Sequence, residues 1–388
     1  MKYFLIFNLI QITLFVPSCT NAQESIAEVK VGAENLNEYI PLLDGKNIAL
    51  LVNHTSTVDG VHLLDTLLSL GVNVVKIFAP EHGFRGNKSN GAMIDHEKDS
   101  KSGLPIISLY GKNKKPTKDQ LTGVDIVLYD IQDVGARFYT YISAMHYMMD
   151  ACADIGKQLI ILDRPNPNGH FIDGPILKLE NQSYVGMHPI PIVYGLTSGE
   201  LAQMIVGESW LTSEEPLQLM VIKNKNWNHS TSYSLPITPS PNLPNKQSID
   251  LYPSLCLFEG TVVSVGRGTN YPFQVIGVPD STFGDFSFTP KSLPGISKYP
   301  KFENETCYGK DLRNIEALNK IDLNYLINFY NSYPNKEEFF NTFFTKLAGT
   351  KTLRIQIEKG FTASEIRESW QSELLTFKEK RAKYLLYD

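Results

Sequence analysis

Short apolar runs alternate with helical segments between residues 47 and 223, and this alternation limits the possible folds more than any other feature. The runs are apolar along their length, which is typical of strands buried on both faces of a sheet. Strands separated by helices predict a parallel sheet covered by helices on both sides. The predicted strands are residues 47–53, 72–80, 104–111, 124–132, a strand within 157–169, and 217–223; the predicted helices are 62–71, 139–156 and 197–211.

These elements predict an open, doubly wound α/β domain that ends near residue 225. A chain of 388 residues has room for a second domain. Residues 234–255 contain five prolines, which argues against a long regular helix or a central strand there. From Thr362, a capping-box pattern with Glu365 opens a helical segment with one apolar face, made of Ile366, Trp370, Leu374, Phe377 and Tyr384.

The first 22 residues have one lysine, an apolar run and then small residues, a pattern typical of a signal peptide cleaved after Ala22. The alternative is a lipid anchor at Cys19. We therefore expect an exported protein, periplasmic or extracellular and either soluble or a lipoprotein, with no later membrane span. The net charge of −5 argues against a nucleic-acid partner. Three widely spaced cysteines remain after cleavage, which predicts neither a disulfide framework nor a cysteine metal site.

Open α/β sheets bind ligands at the carboxyl ends of their strands, and polar clusters follow three of the predicted strands. The first is "APEHGFRG" (79–86). Glu81 is a candidate general acid or base with a pKa raised by a partly apolar pocket, and an ion pair with Arg85 is the alternative. His82 is expected to be a hydrogen-bonding pocket residue. A metal site formed with His54 is less favoured, because no metal-binding spacing is present.

The second and third clusters lie at residues 130–133 and 163–168. Asp130, Asp133 and Arg137 surround a strand-to-helix turn, where they either bind a polar or anionic ligand or cap the helix. Further along, Glu259 lies close to Arg267 and is a second candidate carboxylate, since most glycosidases use a pair of carboxylates. The phosphate-loop, dinucleotide and GxSxG motifs are absent, so those three functions are not supported.

Seven segments in this order resemble one bacterial family, the exo-β-N-acetylmuramidases, which was first known as a domain of unknown function. The resemblance covers roughly residues 45–385. The segments are "APEHGFRG", "YDIQDVGARFYTYISAM", "ILDRPNPNG", "GPIL", "MHPIPIVYGLTSGELAQMI", "SPNLP" and "LYPSLCLFEGTVVSVGRGT".

The resemblance implies a Rossmann-like, doubly wound, mostly parallel sheet in residues 23–225 and a smaller α+β domain in residues 226–388, with the active site between them. It implies the release of N-acetylmuramic acid from the non-reducing end of peptidoglycan fragments, without a metal or an organic cofactor. The glutamate of the family's PEHG motif, proposed to be catalytic, corresponds here to Glu81.

The resemblance leaves the second catalytic role open. A second carboxylate activates water or attacks the sugar, or the substrate's own acetamido group assists. The lactyl carboxylate of muramic acid calls for an arginine, because bidentate pairing suits a carboxylate. The catalytic candidates are Glu81, Asp130 and Glu259, and the substrate-binding candidates are His54, His82, Arg85, Asp133, Arg137, Tyr139, Asn242 and Arg267.

Two rival hypotheses remain from the sequence. A periplasmic binding protein for muropeptides would have a similar two-domain cleft and no catalysis. A metal-dependent hydrolase is the third possibility, and it predicts that a chelator abolishes activity.

Overall fold

The structure is a computed structural model that describes residues 27–81, 83–85, 97–316 and 319–387. The expected signal peptide, Cys19 and His82 lie outside these ranges, and the predictions about them stay predictions.

The first part of the chain forms a seven-stranded sheet with the order β5-β6-β4-β1-β7-β8-β9. All its strands are parallel except the edge strand β5, and each of the six parallel strands falls inside its predicted range. Counted along the chain, the parallel strands stand in the order third, second, first, fourth, fifth, sixth. This is the doubly wound order of a Rossmann-like sheet, and its direction reverses between β1 and β7. The strands are β1 Ile48–Val52, β2 Thr57–Val58, β3 Val61–His62, β4 Val74–Ala79, β5 Glu97–Lys98, β6 Pro105–Ser108, β7 Ile126–Asp130, β8 Gln158–Leu162 and β9 Gln218–Ile222; β2 and β3 form a separate hairpin.

Both faces of this sheet are covered, as the apolar strands predict. In β1, Ala49 and Leu51 belong to one hydrophobic cluster, whereas Ile48, Leu50 and Val52 belong to another on the opposite face. The α-helices of this part are α1 Leu36–Tyr39, α2 Leu63–Ser69, α3 Tyr141–Ala153 and α4 Ser198–Gly207. None of the helices in the described part of the chain is long and apolar enough to cross a membrane.

The second part is α+β, as expected. Its three strands form an antiparallel sheet with the order β10-β12-β11. Its strands and α-helices are α5 Lys246–Leu255, β10 Val275–Val278, β11 Phe286–Phe288, β12 Cys307–Asp311, α6 Asn324–Ser332, α7 Lys336–Phe339, α8 Phe343–Ala348, α9 Thr352–Glu358, α10 Ala363–Ser369 and α11 Gln371–Arg381.

The helix α5 forms inside the proline-rich segment, where the sequence argued against a long helix. Asn245 begins it by accepting a hydrogen bond from the Ser248 N–H. Pro253 has no N–H to donate to the carbonyl of Ile249, four residues earlier. That carbonyl instead accepts a hydrogen bond from the Asn168 side chain at 3.2 Å. A side chain from the first part of the chain therefore replaces the bond that the proline removes.

The helical segment that begins at Thr362 is two helices, not one continuous helix. The capping box of Thr362 and Glu365 is present at the start of α10. At Trp370 the backbone leaves helical geometry (φ −106°, ψ 0°), and α11 begins at the next residue. Ile366, Trp370 and Leu374 are nevertheless all buried, so the apolar face continues across the break.

One hydrophobic cluster extends through both parts of the molecule, from Ala49 in β1 to Phe377 in α11. The chain also returns to the first sheet at Tyr387, whose hydroxyl donates a hydrogen bond of 2.6 Å to Asp163, just beyond β8. The two parts are therefore packed together through a shared core. The predicted division after residue 225 stays a prediction.

Candidate active site

A cleft of about 300 Å³ lies between the two parts, beside the carboxyl ends of β4 and β7. This is close to the point where the strand order reverses, the usual ligand position in such sheets. The first part contributes Glu81, Phe138, Tyr139, Thr140, Tyr141 and Val185. The remaining lining residues are Ser240, Leu243, Tyr252, Cys256, Glu259, Arg267, Phe273, Phe343 and Leu347.

Glu81 enters the cleft two residues after the end of β4. Burial raises the pKa of its carboxyl above the ordinary value. The charge of Arg267 and a hydrogen bond from Tyr110 oppose this rise in pKa, whereas the charge of Glu259 adds to it. A carboxyl group that keeps its proton to higher pH can act as a general acid.

Glu259 and Arg267 form an ion pair in the same cleft, with 2.6 Å between Arg267 Nε and Glu259 Oε1. The guanidinium carbon lies 5.1 Å from the centroid of the Phe273 ring. Among the described residues, no acceptor binds the two terminal amino groups of Arg267. Glu259 and Phe273 therefore orient this guanidinium and leave its outer edge available to an anionic ligand.

The turn that carries Arg267 needs both of its glycines. Gly266 and Gly268 have φ values of 75° and 82°, in the left-handed region that favours glycine. A Cβ atom on Gly268 would also lie 2.5 Å from the carbonyl oxygen of Lys291. The GRG sequence is thus explained by the backbone of the turn.

Aromatic rings form much of the cleft wall. Tyr252 makes edge-to-face contacts with Phe138 at 5.2 Å and with Phe273 at 4.9 Å between ring centroids. Tyr139, which was predicted, stands against Tyr141 at 4.9 Å, and its hydroxyl donates to the carbonyl of Pro239 at 2.7 Å. Flat apolar walls with a few polar groups suit a sugar ring.

Arg85 does not line this cleft. Its guanidinium binds Asp99, with 2.9 Å from Nε to Oδ1, and Asp65 at 3.3 Å. These contacts attach the segment after Glu81 to α2 and to the residue that follows β5. Arg85 therefore pairs with two aspartates, and the ion pair with Glu81 that the sequence offered as an alternative is not among its described contacts.

Arg137 is fully buried and binds four backbone carbonyls. Nη1 donates to Pro175 at 2.9 Å and to Ile190 at 2.6 Å, and Nη2 donates to Leu347 at 3.0 Å and to Ala348 at 2.7 Å. Burial lowers its pKa to about 9. The structure thus places Arg137 behind the cleft wall, where it joins the 138–141 turn to the end of α8.

Asp130 and Asp133 are buried beneath the cleft and do not line it. Asp130 forms an ion pair with Arg164, with 3.0 Å between its Oδ2 and the arginine Nη2. Asp133 accepts hydrogen bonds from the N–H of Gly135 at 2.7 Å and from the hydroxyl of Tyr194. Burial raises the pKa of Asp133 to about 6.

His54 and Asn242 support the segment that carries Ser240 and Leu243 into the cleft. His54 Nε2 lies 2.8 Å from the carbonyl oxygen of Thr238, and Asn242 Nδ2 donates to the carbonyl of Ile296 at 3.1 Å. Neither side chain lines the cleft itself.

The structure thus brings together Glu81, Tyr139, Glu259 and Arg267 from the predicted set. Tyr110, which forms a hydrogen bond with Glu81, was not predicted. It follows β6 by two residues, and the expectation that ligand-binding residues follow the carboxyl ends of strands could have identified it. Phe138, Tyr252 and Phe273 were not predicted either, because an apolar or aromatic residue in a sequence does not show whether it lines a cleft or fills a core. In the described ranges, no group of three or more His, Cys, Asp or Glu side chains could hold a metal ion.

Comparisons with known proteins agree with this arrangement. The N-terminal model of the exo-β-N-acetylmuramidase NamZ family matches residues 48–247, and the C-terminal model of the same family matches residues 250–387. The chain is 38% identical over 397 residues to the peptidoglycan β-N-acetylmuramidase NamZ of Bacillus subtilis (strain 168). That alignment covers 96% of this chain and 94% of the relative.

Two crystal structures of DUF1343 family proteins from Bacteroides fragilis NCTC 9343 have the same fold. The first is 48% identical with a TM-score of 0.87, and the second is 30% identical with a TM-score of 0.80. Each comparison covers 93% of this chain and 99% of the other. The family models and the relatives agree over nearly all of the described chain, and the protein belongs to the exo-β-N-acetylmuramidase NamZ family.

Proposed function

We propose that this protein is an exo-acting β-N-acetylmuramidase, a glycoside hydrolase that releases N-acetylmuramic acid from the non-reducing end of peptidoglycan fragments. Family membership and the Bacillus relative support this activity. The observation that carries the assignment of roles is the position of Glu81, a carboxyl of raised pKa in a cleft that also holds an oriented arginine.

Glu81 acts as the general acid in this proposal. Its carboxyl proton passes to the glycosidic oxygen while the bond between that oxygen and the anomeric carbon breaks. Water then supplies the hydroxyl group of the released sugar. Glu259 is the second carboxylate in the same cleft, and it competes for the remaining role with the substrate's acetamido group. Asp130 is a weaker candidate, because Arg164 holds it in a buried ion pair.

Arg267 binds the lactyl carboxylate of the sugar. Three arginines were candidates for this contact, and two of them have other partners. Arg85 binds two aspartates and Arg137 binds four carbonyls, whereas Arg267 lines the cleft and its terminal amino groups bind no acceptor among the described residues. A planar guanidinium can bind a carboxylate through two parallel hydrogen bonds.

We also propose that the protein is exported and acts in cell-wall turnover, in the periplasm or outside the cell. The apolar leader of residues 1–22 supports export, and a peptidoglycan substrate lies outside the cytoplasmic membrane.

The test is Glu81→Gln, assayed for release of the sugar from a chromogenic N-acetylmuramide. We expect kcat to fall by about a hundredfold or more, because the amide cannot donate the catalytic proton. Glu180→Gln, an exposed glutamate away from the cleft, is the matched control. Full release by Glu81→Gln would rule out the acid role.

The two rival functions give different results in the same assay. A binding protein would bind muropeptides, and the wild type would release no sugar. A metal-dependent hydrolase would lose its activity in EDTA, whereas we expect unchanged turnover.

A further inference from the structure

A second cavity of about 180 Å³ adjoins the cleft on the other side of the Glu259–Arg267 ion pair. Both cavities are lined by these two residues, so the ion pair stands between them. The other residues that line the second cavity are Val263, Ser264, Val265, Tyr299, Pro300 and Lys301. Glu81 lines the first cavity together with Glu259 and Arg267, so the second cavity begins at a wall of the cleft that holds the proposed acid.

The floor of this second cavity is held in place by Lys301. Its ammonium group donates hydrogen bonds to the carbonyls of Phe258 and Val263, each at 3.3 Å, and to the carbonyl of Thr261. These contacts fix the 258–263 backbone, which carries Glu259, against the loop that carries Tyr299. The cavity is therefore shaped by the protein before any ligand enters.

Tyr299 stands at the mouth of the cavity and is 80% exposed, more than any other large hydrophobic residue in the described ranges. The Nζ atom of Lys298 lies 5.1 Å from its ring centroid. Within the same ranges, the Tyr299 ring makes no aromatic pair and has no second cation near it. Such a ring offers an apolar face that a sugar ring can cover.

The aromatic residues that line the two cavities differ in exposure. The first has buried aromatic residues in its wall, since Phe138, Tyr252 and Phe273 are each less than 10% exposed. The second opens to solvent beside Tyr299.

We propose that the second cavity binds the sugar ring on the leaving-group side of the scissile bond, with Tyr299 as its stacking surface. This inference rests on the proposed function, in which N-acetylmuramic acid occupies the first cavity and Glu81 protonates the oxygen that joins the two rings.

The experiment compares Tyr299→Ala, Tyr299→Phe and the wild type on a two-sugar peptidoglycan fragment whose non-reducing ring is N-acetylmuramic acid. We expect Tyr299→Ala to raise KM about fivefold to tenfold, because one ring-stacking contact is lost. Tyr299→Phe should keep the wild-type KM. Free N-acetylmuramic acid, which fills only the first cavity, should inhibit all three proteins with the same inhibition constant.

Phe361→Ala is the matched control, because Phe361 is an exposed aromatic residue that does not line either cavity. An unchanged KM in Tyr299→Ala would overturn the inference. A parallel weakening of inhibition by N-acetylmuramic acid would also overturn it, since Tyr299 would then contact the terminal ring. If the wild type released no sugar from the two-sugar fragment, the proposed function itself would fail.

Discussion

Two charged neighbours, Arg267 and Glu259, change the ionisation of Glu81, the proposed acid. Arg267 lowers the pKa of Glu81 and Glu259 raises it, while burial, the largest influence, keeps the pKa above its ordinary value. The ion pair of Arg267 with Glu259 thus modulates the ionisation of Glu81, in addition to the substrate contact proposed for Arg267.

The first prediction concerns the pH profile of kcat/KM. The acid works only while protonated, so the rate should fall as pH rises through the raised pKa of Glu81. Arg267→Gln removes a charge that lowers this pKa, and the falling limb should move to higher pH. Glu259→Gln removes a charge that raises it, and the limb should move to lower pH.

The pH profiles of the two variants should be measured beside that of Arg354→Gln, which changes a half-buried arginine that pairs with Glu358 and does not line the cleft. We expect that control to keep the wild-type limb. If kcat/KM of both cleft variants also fell at the wild-type pH, the ionisation of Glu81 would not be what causes the fall.

The sequence predicted some of these side chains better than others. Glu81 was found because strand ends in a doubly wound sheet share one edge, a rule that needs no contacts. The roles of Arg85 and Arg137 could not be read from sequence, because their partners are as far away as Leu347 and depend on packing. In the sequence, Tyr252 and Phe273 cannot be distinguished from ordinary core residues, because only the packing of the two parts places them in the cleft wall.

At the scale of elements, the position of α8 in the cleft wall depends on one side chain that is distant in sequence, Arg137. Its last carbonyls, those of Leu347 and Ala348, receive the guanidinium of Arg137. Gly349 permits this approach, because a Cβ atom there would lie 2.5 Å from Arg137 Nη2 and φ is 73°. Phe343 and Leu347 of the same helix line the cleft.

We therefore expect Arg137→Met to lower the free energy of unfolding by about 3 kcal/mol or more, since four buried carbonyls lose their donor. KM should rise more than kcat falls, because the wall moves while Glu81 stays. Urea unfolding and steady-state kinetics measure both effects. Lys346→Ala, an exposed change on the same helix, should alter neither, and Arg137→Lys should restore part of the stability.

The elements of the first part were predicted in the right places because apolar runs and caps are local signals, although α4 ends at Gly207, four residues before its predicted end. The ends of β1, for example, differ from the prediction by one residue each. The helix around Pro253 was harder to predict, because the bond that replaces its missing N–H comes from Asn168, in another part of the fold.

For the whole molecule, the shared core predicts one cooperative unfolding transition. The chain has three tryptophans, of which Trp210 follows α4 and Trp370 lies between α10 and α11. In each variant that keeps only one of these two as a fluorophore, the fluorescence and circular-dichroism transitions in urea should have the same midpoint, because one hydrophobic cluster spans both regions. Two separate midpoints would mean that the two parts unfold independently.

The hydrogen bond between Tyr387 and Asp163 joins residues that lie 224 positions apart. A ribosome that adds about 5 to 20 residues per second needs roughly 10 to 45 seconds to make the intervening chain. Throughout that interval, the carboxylate beyond β8 lacks this partner, although the sheet strands before it have already been synthesised. The Rossmann-like part is therefore completed by a segment that is made long after it.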